Sequence, residues 1–78
     1  MKNSVNAAAL AIAKSDNFIL VAIRENVARI KQLETKRRVT NDSRDVIKKL
    51  KAAMDVQVAL LSLHRQSQNT MRIIKEAL

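Results

Sequence analysis

The stretch QLETKRRVTNDSRDVIKKLK, residues 32–51, decides the fold. It holds seven of the fifteen basic residues and the one cluster in the chain with turn chemistry, Val39-Thr40-Asn41-Asp42-Ser43. Asn tolerates the left-handed conformation that ends a helix, so Asn41 marks a stop. Asp42 or Ser43 can cap a new helix, and Asp45 suits its positive first turn. Gly and Pro are both absent, and the good helix formers Ala, Leu, Lys, Arg, Gln and Met fill most positions. Strands and tight turns lack their usual punctuation here. The chain therefore reads as all-α, an antiparallel two-helix hairpin with coiled-coil-like packing. A helix over about 4–38, a turn at 39–42 and a helix over about 43–78 make one domain.

Outward from the turn, apolar residues recur at heptad spacing. On the first helix the seam runs Val5, Ala9, Ile12, Asp16, Ile19, Ile23, Asn26, Ile30, Leu33. On the second it runs Val46, Leu50, Ala53, Gln57, Leu60, His64, Ser67, Met71, Ile74, Leu78. Folding the chain at residues 41 and 42 pairs Leu33 with Leu50, Ile23 with Leu60, Ile12 with Met71 and Val5 with Leu78. The polar interruptions then coincide, Asn26 opposite Gln57 and Asp16 opposite Ser67. A matched polar pair avoids the ~1–3 kcal/mol cost of a buried orphan and penalises a slipped register.

A second apolar stripe occupies the e positions: Ala13, Leu20, Val27, Ile47, Met54 and Leu61. Val56 and Leu63 add g positions, and Phe18 and Val21 lie further round. A two-helix seam needs only a and d, so the wider face is the pattern of a bundle. A chain of 78 residues without Cys cannot staple itself with disulfides. These features predict a homo-oligomer, such as a four-helix bundle, or a helical protein partner, with Phe18, Leu20, Val27, Ile47, Met54 and Leu61 at the interface.

The net charge of +8 admits acidic proteins, nucleic acid or anionic membranes without choosing among them. Lys36, Arg37, Arg38, Arg44, Lys48 and Lys51 gather at the turn and are candidate anion contacts for a small dimeric nucleic-acid binder. Against that, Arg24, Lys31, Arg38, Arg44, Lys51, Arg65 and Arg72 all take b positions, where a solvated helix carries charge anyway. No aromatic residue stands near the turn to stack on a base; the single one is Phe18.

His64 is the one histidine, and no Cys or spaced His/Glu set accompanies it. No metal, cofactor or catalytic constellation is expected; Asp16 is the one carboxylate within reach of His64 across the hairpin, and His64 reads as a polar seam residue near the Asp16–Ser67 layer. At the N-terminus, Lys2 and the Ala-rich run through Ala13 resemble a secretory leader only loosely, because Asn3, Ser4 and Asn6 dilute it. Lys14-Ser15-Asp16-Asn17 then interrupts the apolar run, so the reading expects no transmembrane segment and a cytoplasmic chain before any assembly or export.

The last stretch, LSLHRQSQNTMRIIKEAL at 61–78, resembles the C-terminal helix of type III secretion needle subunits. A polar Arg/Gln/Ser/Asn segment precedes an apolar-Lys-acid ending, here Ile73-Ile74-Lys75-Glu76. Needle subunits and their small co-chaperones are helical hairpins, so the resemblance implies a secretion-apparatus component whose C-terminal helix packs in an assembly. Where that family turns at a Pro-containing loop, this chain has Val39-Thr40-Asn41-Asp42-Ser43.

Overall fold

In a computed structural model that describes residues 2–40 and 43–77, with side chains from residue 4, two helices account for nearly all of the chain. Helix α1 spans Lys2–Val39 and α2 spans Arg44–Ala77, and they pack against each other along their length. The all-α hairpin expected from composition and periodicity is the observed architecture.

Neither helix contains a residue that would break it, so each runs until the turn chemistry stops it. Thr40 Oγ1 donates to the Lys36 carbonyl at 2.6 Å and satisfies one acceptor that the end of α1 leaves unpaired. Ser43 opens α2: its carbonyl accepts the first helical bond from Ile47 N at 2.8 Å. Asp45 lies in the first turn of α2, and Lys36, Arg37 and Arg38 lie in the last turn of α1. Both placements oppose the local helix dipole. Asn41 and Asp42, assigned above to the stop and the cap, lie outside the described residues, as does Leu78 at the end of the seam. Among the described residues no non-glycine backbone takes a positive φ.

The result is a rod of 61 × 14 × 13 Å. Its length is that of one helix, since 38 residues at 1.5 Å each span about 57 Å. The radius of gyration is 17.6 Å, against roughly 11–12 Å for a compact chain of this size. A side chain between two helices meets neighbours on one side only, and burial follows from that. Val46, Leu50 and Ala53, close to the turn, are buried. The other described seam residues, Asp16 excepted, are half-buried.

Two polar layers interrupt the seam. Asn26 donates from Nδ2 to Gln57 Oε1 at 2.9 Å and to the Ala53 carbonyl at 2.8 Å. That cross-helix pair ties the register at the middle of the rod. The second layer differs from the expected Asp16–Ser67 pairing. Asp16 accepts from His64 Nδ1 at 2.7 Å and from Gln68 Nε2 at 3.3 Å, while Ser67 Oγ is buried without a partner. The serine is opposite Asp16 but too short to cross the seam. His64 and Gln68, on the adjacent turn and the adjacent residue, are long enough.

Candidate functional site

Among the described residues, Asp16, His64 and Gln68 form a side-chain cluster across the seam that has the ingredients of chemistry. Asp16 is buried at 7% exposure, and each of its carboxylate oxygens accepts one hydrogen bond from α2. Because a carboxylate only accepts, Nδ1 of His64 carries the proton in that bond. The pair stops there: the neighbouring hydroxyl, Ser67 Oγ, bonds to nothing and so is not activated by the imidazole. No group of three or more His, Asp or Glu side chains able to hold a metal ion occurs among the described residues. What this geometry supplies is a hydrogen-bonded polar layer that ties Asp16 of α1 to His64 and Gln68 of α2.

The hairpin has two flanks, and they differ in charge. Antiparallel pairing sets the e positions of both helices on one side of the seam and the g positions on the other. On the e flank, Leu20 and Val27 of α1 are half-buried, and Ile47, Met54 and Leu61 of α2 are exposed. Beside each e row runs a b row, an adjacency visible where Leu61 shares a shallow depression with Val58 and Arg65. The b rows carry Arg24, Lys31 and Arg38 on α1 and Arg44, Lys51, Arg65 and Arg72 on α2, all exposed. The e flank is thus an apolar stripe between two basic rims, with Glu34 at its turn end.

The opposite flank contains a groove lined by Ala22, Glu25, Arg29, Gln32 and Val56 beside the Asn26 layer. One heptad further from the turn, Leu63 and Phe18 continue the same surface with Ala11, Ser15 and Ala59. Phe18 is 77% exposed, and no Lys or Arg occupies the g or c positions of this half. The interface set expected from the sequence therefore divides. Phe18 is on the flank whose open-end half carries no Lys or Arg, and Leu20, Val27, Ile47, Met54 and Leu61 are on the basic-rimmed one. Val56 and Leu63 belong with Phe18, a grouping that periodicity carries but that becomes legible only once the two helices are superposed.

At the turn, Lys36, Arg37, Arg38, Arg44, Lys48 and Lys51 are all exposed and gathered at one end of the rod. Glu34 lies in a depression with Arg37 and Arg38, so an acid sits among them. At the other end, α1 includes, within Ser4–Val39, a window of membrane-spanning length with mean hydropathy 1.3, 6% of it buried. By length and composition α1 reaches the range of a spanning helix, because the apolar runs on both sides outweigh the Lys14–Asn17 interruption that argued against one. That window carries Lys14 and Asp16, and an Asp at mid-bilayer costs about 2.5–3.5 kcal/mol. In the hairpin, Asp16 has His64 and Gln68 instead.

Comparison with protein-family models, with curated proteins and with solved structures gave no match.

Proposed function

We propose that this chain is a non-enzymatic association module, a hairpin that pairs with a second copy through the open-end half of its Phe18 flank. The observation that carries the reading is the surface left uncovered. The chain exposes 6391 Å², whereas a compact monomer of 8.8 kDa exposes about 4,800 Å². The difference, on the order of 1,600 Å², exceeds the ~800 Å² that each partner covers in an ordinary stable interface. Leu10, Phe18, Val56, Leu63 and Ile73 are among the large apolar side chains left exposed. Covering part of that surface with a second copy would add to the stability of a small domain that has no Cys to form disulfides.

Charge selects the flank. Two e flanks placed together would set basic rim against basic rim, and like charges at an interface cost several kcal/mol. In its open-end half the Phe18 flank has no such obstacle, and small residues such as Ala11, Ser15, Ala22 and Ala59 let a second helix pair approach closely.

The test is light scattering with ultraviolet absorbance during size exclusion at about 0.15 M and about 1 M salt. The expected result is a mass near twice 8.8 kDa at both salts, reduced to one chain by Phe18→Glu with Leu63→Glu. A single-chain mass for the unmodified protein at tens of micromolar overturns the reading. A second reading follows from the gathering of basic side chains at the turn: a dimer that binds nucleic acid through that end. With no Trp, Tyr or Cys the chain barely absorbs near 260–280 nm. Strong 260 nm absorbance that separates from the protein at high salt would favour that second reading.

A further inference from the structure

If a second copy covers the Phe18 flank, the e flank stays open, and its chemistry specifies what fits there. Leu61, Met54 and Ile47 follow one another at heptad spacing along α2, and Leu20 and Val27 line the stripe from α1. From Ile47 to Leu61 the stripe runs about 21 Å, roughly four helical turns. Beside it stand exposed cations, Arg24, Lys31 and Arg38 along α1 and Lys51 and Arg65 along α2, with Val58 between the last two. Arg44 belongs to the same row and already has a partner within the chain.

A helix about 10–12 Å across, laid along this stripe, would bury its apolar face against Leu20, Val27, Met54 and Leu61. Its two shoulders would then meet the two basic rims, so acids on those shoulders would be matched on both sides. We infer that the e flank docks an acidic amphipathic helix of another protein, completing a three-helix unit in each hairpin. This inference rests on the association reading only in taking the other flank as the homodimer surface.

The remaining occupants fit less well. A second copy presents the same basic rims. Nucleic acid would match the rims but not the aliphatic centre, which has no aromatic side chain for a base to stack on. A bilayer surface favours an aromatic anchor, and Phe18 lies at a c position of the other flank.

The test uses the full chain and a labelled synthetic helix of about three heptads, with Leu at a and d and Glu at e and g. A matched peptide with Lys for Glu, a short DNA duplex and phosphatidylserine vesicles serve as comparators, and fluorescence anisotropy or co-sedimentation reads binding. The acidic peptide is expected to bind at least tenfold tighter than the Lys peptide and to weaken severalfold as salt rises. Lys31→Glu with Lys51→Glu, at exposed positions outside the seam, should cost about tenfold in affinity with circular dichroism unchanged. Met54→Glu should do the same from the apolar centre.

Equal affinity for the two peptides, or no loss in the charge-reversed variant, overturns the inference. So does binding to DNA or vesicles that outcompetes the acidic peptide. Light scattering on the same samples separates the two proposals. Phe18→Glu with Leu63→Glu should yield single chains that still bind the peptide. A dimer that ignores the acidic peptide would overturn the docking alone, and peptide binding by an unmodified single chain would overturn only the self-association.

Discussion

The two ends of the rod use the same seam differently. Near the turn, Val46, Leu50 and Ala53 are buried and the exterior is basic. Towards the open end, Ile12, Met71 and Ile74 are only half-buried, and the exterior offers Leu10, Phe18 and Ile73. The heptad pattern is equally good at both ends, so pattern strength does not set burial. On α2 burial follows proximity to the chain reversal, where the turn holds the helices together, whereas on α1 Leu33 and Ile30 beside the turn are half-buried and Asp16 far from it is buried. At the open end α1 and α2 are tied by side chains alone. The middle and far layers, Asn26–Gln57 and Asp16 with His64 and Gln68, supply directional bonds where the turn cannot.

The largest expected effect tests that contrast directly. Leu50→Ala should destabilise the fold by about 2–4 kcal/mol, because a buried leucine loses both transfer energy and packing. Met71→Ala at the half-buried end should cost about 1 kcal/mol. Thermal and urea unfolding at one fixed protein concentration compare the two, and equal losses would mean that the ends are equally packed.

A smaller effect concerns the polar layers. Replacing Asn26 and Gln57 together by Leu should change stability by no more than about 2 kcal/mol, in the stabilising direction, while loosening the register. Because the chain has no Cys, a pair introduced by Ile23→Cys with Leu60→Cys reports alignment by how fully it oxidises. Complete oxidation in the parent and partial oxidation in the Leu variant is the expected contrast. Undiminished oxidation would assign the register to the turn.

The smallest effect isolates one atom. Ser67→Ala removes a buried hydroxyl that has no partner and should leave stability unchanged or raise it by up to ~1 kcal/mol. Asp16→Ala, next to it, should lower stability by about 1–3 kcal/mol, because it strips the acceptor from His64 and Gln68. A loss for Ser67→Ala as large as for Asp16→Ala would show that the serine, too, bonds across the seam in solution.

Much of this could be read along the chain. The absence of Gly and Pro, the heptad spacing and the Val39–Ser43 cluster are local or pairwise features, and they carried helicity, chain reversal and the alignment that puts Asn26 against Gln57. Asp16 was legible as a polar position of the seam within reach of His64, but the bond from Gln68 and the exclusion of Ser67 were not. Partner choice depends on side-chain reach across a gap whose width appears only when both helices are in place, and there His64 and Gln68 outreach Ser67. The flanks were half legible. Spacing alone grouped Leu20 with Leu61, but Phe18 joined that set until the superposed helices moved it to the other side.

The sequence by itself determined two helices, where they reverse and how they align, because those depend on backbone propensity and a one-dimensional repeat. Only the tertiary structure decided how deeply each seam residue is buried, which donors hold Asp16, and that an apolar stripe lies between two basic rims. Those properties belong to pairs of surfaces brought side by side, and a linear pattern carries no distance between them.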